Sequence, residues 1–484
     1  LTRRLSVLAA LAAGIFTTAT HAIAMAGVPD YDSAIYIMNG RWLLEGIAPY
    51  RDFHLNKMPL ILVPNAIFAL ARDPRFLPQV ASLLCALATG AILARSKALA
   101  RDPLRWLVFA VVVGLLGLEE FRQGGNYPET YATPLIALAW ASLMSPEPTR
   151  RDLLLGGCAV GLLGLTKQTH AVYGVSLLAL LAVFEGRRPG GLARLGLAMS
   201  AATGIVLLAL APFALTGLLL PLLRSTVLYW IHAPPILRTE GSLAERLLSL
   251  AAPIAPVLLL ALIAVARVTA RWIRGRGAPD RPTTGFLALL ATACLLETLE
   301  QRLFRNPHYM LHAFVALSLA PWVVARSRDR ESPIGRILLV ALGEWAWTPI
   351  VTQALIFQWG LGVAQQEKVR LDHVAASVDQ ASPGPGEPLL VLGGKPQLYV
   401  ASSRPCADPR IFTAFLLAQE AAKGPEGGAT VRALLRSRPL VLVVVEPSEE
   451  LDLLERYLPS WRDEIADLDR HRIDDSVSIL SRTR

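Results

Sequence analysis

The chain is built on a succession of apolar segments, several of them long enough to cross a bilayer, whose connections alternate in charge. These segments fall near 77–94, 106–120, 130–146, 152–166, 170–184, 195–215, 249–268, 284–300, 310–326 and 337–358, after a first one that follows Arg3 and Arg4. A helix of roughly 20 apolar residues matches the hydrocarbon layer. Inside that layer the backbone must satisfy its own hydrogen bonds, so helices are what such segments form. The expectation is a mainly α, polytopic membrane protein with about eleven transmembrane helices. Charged residues make up only 18% of the chain, against about 25% in soluble domains.

The connections RSKALARDPLR, PEPTRRD, EGRRPGGLAR, RVTARWIRGRGAPDRP and ARSRDRESPIGR are short, rich in Arg and fall on every second turn of the chain. Lys and Arg are retained on the cytoplasmic side, which makes these loops and the N-terminus cytoplasmic. The connections EEFRQGGNYPE, TKQTH, 216–248 and EQRLFRNPHY then lie outside. The alternation holds only if MPLILVPNAIFALA (58–71), short and broken by Pro59 and Pro64, does not cross. The net charge of +9 is thus a topology signal and not a nucleic-acid footprint. The first segment also resembles a signal peptide, with AIA and AMA as cleavage-like sequences, a reading that leaves the later topology unchanged.

Composition changes at the end of the chain. PLLVLGG and PLVLVVVEP read as buried strands, RIFTAFLLAQEAAK and LDLLERYLPSW as helices, and DDSVSILSR as a last strand. Strands alternating with helices suggest a small α/β domain. The expected division is a transmembrane domain, 1–362, containing a first outer loop at 27–76, and an extracytoplasmic α/β domain, 363–484. Cys85, Cys158, Cys294 and Cys406 are scattered, with no disulfide framework or metal-ligand spacing.

Polar residues gather on the outer side. The first loop reads GVPDYDSAIYIMNGRWLLEGIAPYRDFHLNKMPL. A helix starts there near Asp30 or Asp32, and Asp32, followed by Ser-Ala-Ile, suits its N-cap. Arg51, Asp52, His54 and Lys57 follow within seven residues. They are either a solvated interfacial stretch or a phosphate clamp with Lys57 as a point charge and Arg51 as a fork. The later outer loops hold Asn126, Tyr127 and Glu129, then Thr166, Lys167, Gln168 and His170, then Arg305, His308 and Tyr309. Glu297 and Glu300 lie just inside the preceding span, where ionisable groups are costly and mark function. Acids and cations on one membrane face suit an anionic lipid substrate: the cations hold a phosphate and a carboxylate takes a proton from an acceptor hydroxyl. No Walker loop, dinucleotide fingerprint, HExxH or CxxC pair is present, so the energy for reaction arrives within the substrate.

These segments, in order, resemble the GT-C superfamily of integral-membrane glycosyltransferases. The similarity is nearest to the bacterial branch of lipopolysaccharide galacturonosyltransferases, and extends to aminoarabinose transferases and protein O-mannosyltransferases. YDSAIYIMNGRWLLEGIAPYRDFHLNKMPL resembles the family's first outer loop, although Met58 stands where a first proline is usual. NYPETY resembles its second acidic site, GLLGLTKQTH its Thr-Lys-Gln stretch and FRNPHYMLHAF its late basic segment. The resemblance implies a sugar donor carried on polyprenyl phosphate, a lipid, glycan or protein acceptor, inversion at the anomeric carbon, and residence in a bacterial inner membrane. It implies Asp32 as catalytic base, with Asp30 as rival and Glu129 orienting the acceptor or sharing the role. It implies Arg51, Lys57, Lys167, Arg305, His308 and Tyr309 around the donor phosphate, with Asp52, His54 and Gln168 as further candidates. No cofactor is called for; a divalent metal serves some relatives, but the acids here are too dispersed to indicate a metal site. Two other classes compete: a transporter or flippase of a lipid-linked saccharide, which would call for an inverted repeat, and a membrane scaffold presenting the α/β tail.

Overall fold

The computed structural model describes residues 2–123, 125–186, 188–228, 255–274, 279–303, 310–326, 362–363, 365–381, 387–393, 395–402, 404–437 and 441–481. Each apolar segment expected between 77 and 215 is a helix: α4 (Leu77–Arg95), α5 (Arg105–Gln123), α6 (Pro128–Leu143), α7 (Arg150–Thr166), α8 (Ala171–Glu185) and α9 (Gly191–Leu215). They are joined by α1 (Thr2–Met25) and, later, by the short α10 (Leu219–Leu223), α11 (Ala255–Ile273) and α12 (Arg281–Leu303). Among the described residues, five helices are long and apolar enough to cross a membrane. The segment at 310–326, expected as one span, is two helices, α13 (Met310–Leu317) and α14 (Ala320–Arg326). Pro321 explains the break, because it has no N–H and its ring clashes with the carbonyl four residues earlier. The segment expected at 337–358 lies outside the described residues.

One apolar core fills the bundle, with Trp140 edge-on to Trp322 at 6.3 Å between centroids. Helix α1 is packed into it. A Cβ on Gly117 of α5 would stand 2.4 Å from the Thr17 side chain, so the two backbones approach as only a glycine permits.

The loops sort to two ends of the bundle. At one end Lys97 pairs with Asp152 at 2.5 Å, Arg194 donates to the Pro148 carbonyl, and the buried Glu185 takes Arg281 at 2.6 Å and Arg194 at 2.7 Å. These residues belong to four of the five Arg-rich connections, drawn together; the fifth, ARSRDRESPIGR, lies almost wholly outside the described residues. The other end gathers the loops around residues 30–57, 126–129 and 167–170, which carry the acids and histidines.

The first loop is structured. It holds α2 (Tyr31–Leu44), then a 3-10 turn (Pro59–Ile61) and α3 (Leu62–Ala69). The apolar helical stretch Pro59–Ala69 would extend only roughly 16 Å at 1.5 Å per residue, well short of a bilayer core of about 30 Å. It folds back on α2: a Cβ on Gly40 would lie 2.2 Å from the Asn65 carbonyl oxygen.

The tail is the expected α/β unit. Strand β1 (Leu389–Leu392) runs parallel to β2 (Val441–Val445), and β4 (Val477–Ser481) lies antiparallel to β2 in the order β1-β2-β4-β3. Both β1 and β2 are buried along their whole length, as parallel strands covered on both faces are. The edge strand β3 (Asp469–Arg472) is exposed throughout. Its sequence, DRHR, has no apolar alternation to announce it and is the charged kind that protects an edge from further pairing.

The tail shares its core with the first loop. Trp42 of α2 meets Phe412 edge-on at 5.0 Å and Phe53 at 5.6 Å. Arg41 donates to the Tyr399 carbonyl at 3.4 Å, the His54 N–H to the Pro409 carbonyl at 3.2 Å, and Arg75 pairs with Asp372 at 2.5 Å. The loop is a wedge between bundle and tail, with the C-terminal half of α2 packed on the tail.

Candidate active site

Helix α2 starts at Asp30. Its carboxylate accepts from the Ser33 N–H at 3.0 Å, the N-cap bond, and from the Tyr127 hydroxyl. Asp32 is therefore not the cap. It stands in the first turn, half-buried, where the helix dipole favours an anion. The charges that bear on it come from three other segments: Lys57 and Lys167 stabilise its anion, and Glu129 opposes it. Burial outweighs these and raises the Asp32 pKa above the ordinary carboxylate value. Burial, followed by the charge of Asp32, raises Asp30 to about 6.

Lys57 is buried, 8% exposed. Its loop is held by Tyr50, which adopts φ +66° and donates its hydroxyl to the Lys57 carbonyl at 3.1 Å. A left-handed non-glycine costs roughly 1–2 kcal/mol, offset here by that bond and by the edge-on contact of Tyr50 with Phe213 at 5.7 Å.

Glu129 follows Pro128 in the first turn of α6, and Lys167 caps the end of α7. They meet at 2.9 Å with 2% and 3% of their side chains exposed. His170 accompanies them. Its Nδ1 lies 2.6 Å from the Thr166 hydroxyl, its Nε2 3.9 Å from Glu129, and its ring 4.5 Å from that of His312. Asn126, the neighbour of Tyr127, donates to Asn65 of α3 at 2.7 Å and accepts from Tyr131 at 2.7 Å. The second outer loop is thereby tied to the first.

The structure thus brings together the half-buried Asp30 and Asp32 and the buried Lys57, Glu129 and Lys167. Arg51 is elsewhere: it forks onto Asp52 at 2.9 and 2.8 Å, and both side chains are exposed. His54 is half-buried on the same side, its pKa lowered to about 4 by burial and by the charges of Lys57 and Lys423. Gln168 donates to the Thr226 carbonyl at 2.9 Å. Arg305, His308 and Tyr309 lie outside the described residues. Sequence reasoning passed over His312 and Asn65. The first is four residues after His308, one helical turn, and that spacing was a usable signal. Asn65 gave none, since an Asn in a short apolar stretch shows no partner. Among the described residues, no group of three His, Cys, Asp or Glu is placed to hold a metal ion.

No protein-family model matches the chain, and no curated protein does. Solved structures do. ArnT from Cupriavidus metallidurans in the apo state aligns with a TM-score of 0.64 at 14% identity, covering 97% of each chain. The same protein bound to undecaprenyl phosphate aligns at 0.60, with the same identity and coverage. The oligosaccharyltransferase AglB from Archaeoglobus fulgidus, in complex with an inhibitory peptide and a dolichol-phosphate, aligns at 0.50 and 11% identity over 97% of this chain and 74% of AglB. At these identities the likeness is one of architecture, and it extends through bundle and tail alike: the chain has the fold seen in ArnT.

Proposed function

We propose that the chain is a membrane glycosyltransferase. It moves a sugar from a polyprenyl-phosphate donor to a hydroxyl of a lipid, glycan or protein on the outer face of a bacterial inner membrane. The observation that carries this reading is Asp32, a half-buried carboxylate facing the buried cations Lys57 and Lys167. It is supported by a fold shared with a protein captured on undecaprenyl phosphate.

In this reading Lys57 and Lys167 hold the donor phosphate, and buried charges are effective there because water does not screen them. The acceptor hydroxyl attacks the anomeric carbon and forms the new C–O bond. The bond from that carbon to the phosphate oxygen breaks, and its electron pair leaves with polyprenyl phosphate. The hydroxyl proton goes to Asp32, whose raised pKa makes it a better proton acceptor than an ordinary carboxylate. A single displacement inverts the anomeric centre. Asp30, engaged as cap and by Tyr127, positions Asp32. Glu129 orients Lys167 and the acceptor. Arg305, His308 and Tyr309 are assigned to the donor on the resemblance alone.

The test is transfer from radiolabelled polyprenyl-phosphate sugars to a membrane extract, wild type against Asp32→Asn. Asn retains the size of Asp and takes no proton. Loss of at least about 100-fold at equal protein level is expected of a removed general base. Retained transfer would move the base to Asp30 or Glu129.

A further inference from the structure

A cavity of about 630 Å³ opens between the first loop, the helical turn Arg224–Leu228 and the tail. Arg51, Arg224, Arg410 and Lys423 line it, with His54 and a single carboxylate, Glu420. Four cations from three separate stretches of chain converge on one space. The acids that accompany them are local: Asp52 beside Arg51, Asp408 two residues before Arg410, and Glu420 three before Lys423. In all three pairs the basic side chain is more than half exposed, and exposed pairs of this kind are weak. An entering oxyanion can share the outer N–H groups of such cations without breaking a buried bond. For Arg224 no ion pair is found among the described residues.

The cavity is linked to the proposed catalytic cluster on two sides. Tyr50 lines it and holds the Lys57 carbonyl through its hydroxyl. Thr226, two residues beyond Arg224, accepts from Gln168, the neighbour of Lys167. A group seated among the cations therefore rests against the segment that presents Lys57 and against the stretch 224–226 that Gln168 ties to the neighbourhood of Lys167. Tyr50 is also the residue with positive φ, and strain of that kind gathers at functional sites.

We propose that this cavity is an anion subsite for the acceptor, taking a phosphate monoester carried on a sugar or a lipid headgroup. The inference deepens the glycosyl-transfer reading and rests on it for the word acceptor. Its test measures binding without transfer, so the two can fail separately.

The full chain in nanodiscs is titrated with glucose 6-phosphate and with dihexanoyl phosphatidic acid, against glucose and dihexanoylglycerol. Protection of residues 410–430 from hydrogen exchange is read. Phosphate-bearing probes should protect and neutral ones should not, and the arm that binds more tightly tells whether the anion is soluble or lipid-borne. Arg224→Gln with Arg410→Gln should weaken binding ten-fold or more, and the double Lys variant should recover much of it. Three results would each overturn the proposal: equal protection by glucose and its phosphate, unchanged affinity in the double Gln variant, or displacement of the probe by undecaprenyl phosphate, which would give the cavity to the donor.

Discussion

Lys167 donates to Glu129 at 2.9 Å, joining the end of α7 to the start of α6 with both charges shut away from solvent. Removing one partner of a buried pair leaves the other charge uncompensated and costs about 3–5 kcal/mol. Glu129→Gln should therefore lower the melting temperature sharply. Glu129→Gln with Lys167→Met removes both charges and should restore most of that stability, yet should not restore transfer, because Lys167 is assigned to the donor phosphate. Thermal denaturation in detergent and the radiolabel assay, run together, separate the two effects. Full activity in the double variant would leave the pair a purely structural role.

Asp30 and Asp32 should impose opposite pH trends on stability and rate. Asp30 is raised to about 6, against an ordinary carboxyl near 3.9. By linkage, the stability this group contributes is fully present below about pH 4 and is lost as pH rises through about 6. Catalysis needs Asp32 charged, and burial raises its pKa as well, so the rate should instead climb with pH and level off once the base is ionised. The acids interact, so the limb belongs to the pair. Asp30→Asn removes one of the two charges and should shift the acidic limb of kcat/KM to lower pH.

Trp42 and Phe412 couple the tail to α2 at 5.0 Å. Phe→Ala in a core typically costs about 3–5 kcal/mol. If the tail sets where α2 begins, Phe412→Ala should lower kcat by more than its effect on folded protein explains, and Phe412→Leu, which refills most of the space, should recover it. Equal loss of folded protein and of transfer, with unchanged kcat per folded molecule, would make the contact a matter of stability alone.

Loop sidedness gives a prediction independent of chemistry. Among the described residues, four Arg-rich connections meet at one end of the bundle and the acid-bearing loops at the other. Positive charge is retained inside, so reporter fusions at Gly190 and Gly277 should read cytoplasmic and fusions after Gln380 extracytoplasmic. A cytoplasmic reading after Gln380 would put the proposed reaction on the wrong face.

The sequence made the bundle legible because hydrocarbon length and Arg alternation act along the chain and need no knowledge of contacts. The tail's β1, β2 and β4 were legible for a similar reason, as short apolar runs between turn residues. Contacts between distant segments were not. In sequence the cap reads as Asp32; the Ser33 N–H and the Tyr127 hydroxyl, the latter 97 residues away, give that place to Asp30. Arg51 and Lys57, six residues apart, read as one clamp. The chain turns at a left-handed Tyr50 just before them, and Arg51 is left at the surface while Lys57 is buried.

Gly40 offers the sharpest test of how the first loop supports the cluster. Its Cα faces the backbone of α3, and an added Cβ would sit 2.2 Å from the Asn65 oxygen, 2.3 Å from the Asn65 carbonyl carbon and 2.6 Å from the Ala66 nitrogen. Backbone atoms cannot rotate aside, so Gly40→Ala must push α3 from α2, an overpacking cost of about 1–3 kcal/mol. Asn65 would move with it and strain its 2.7 Å bond from Asn126, three residues before Glu129. The expected result is a lower melting temperature with a larger loss of transfer. Gly14→Ala in α1, where nothing lies within 4 Å, should be neutral or slightly stabilising through helix propensity. Equal behaviour of the two variants would mean that the packing of α3 on α2 does not reach the site.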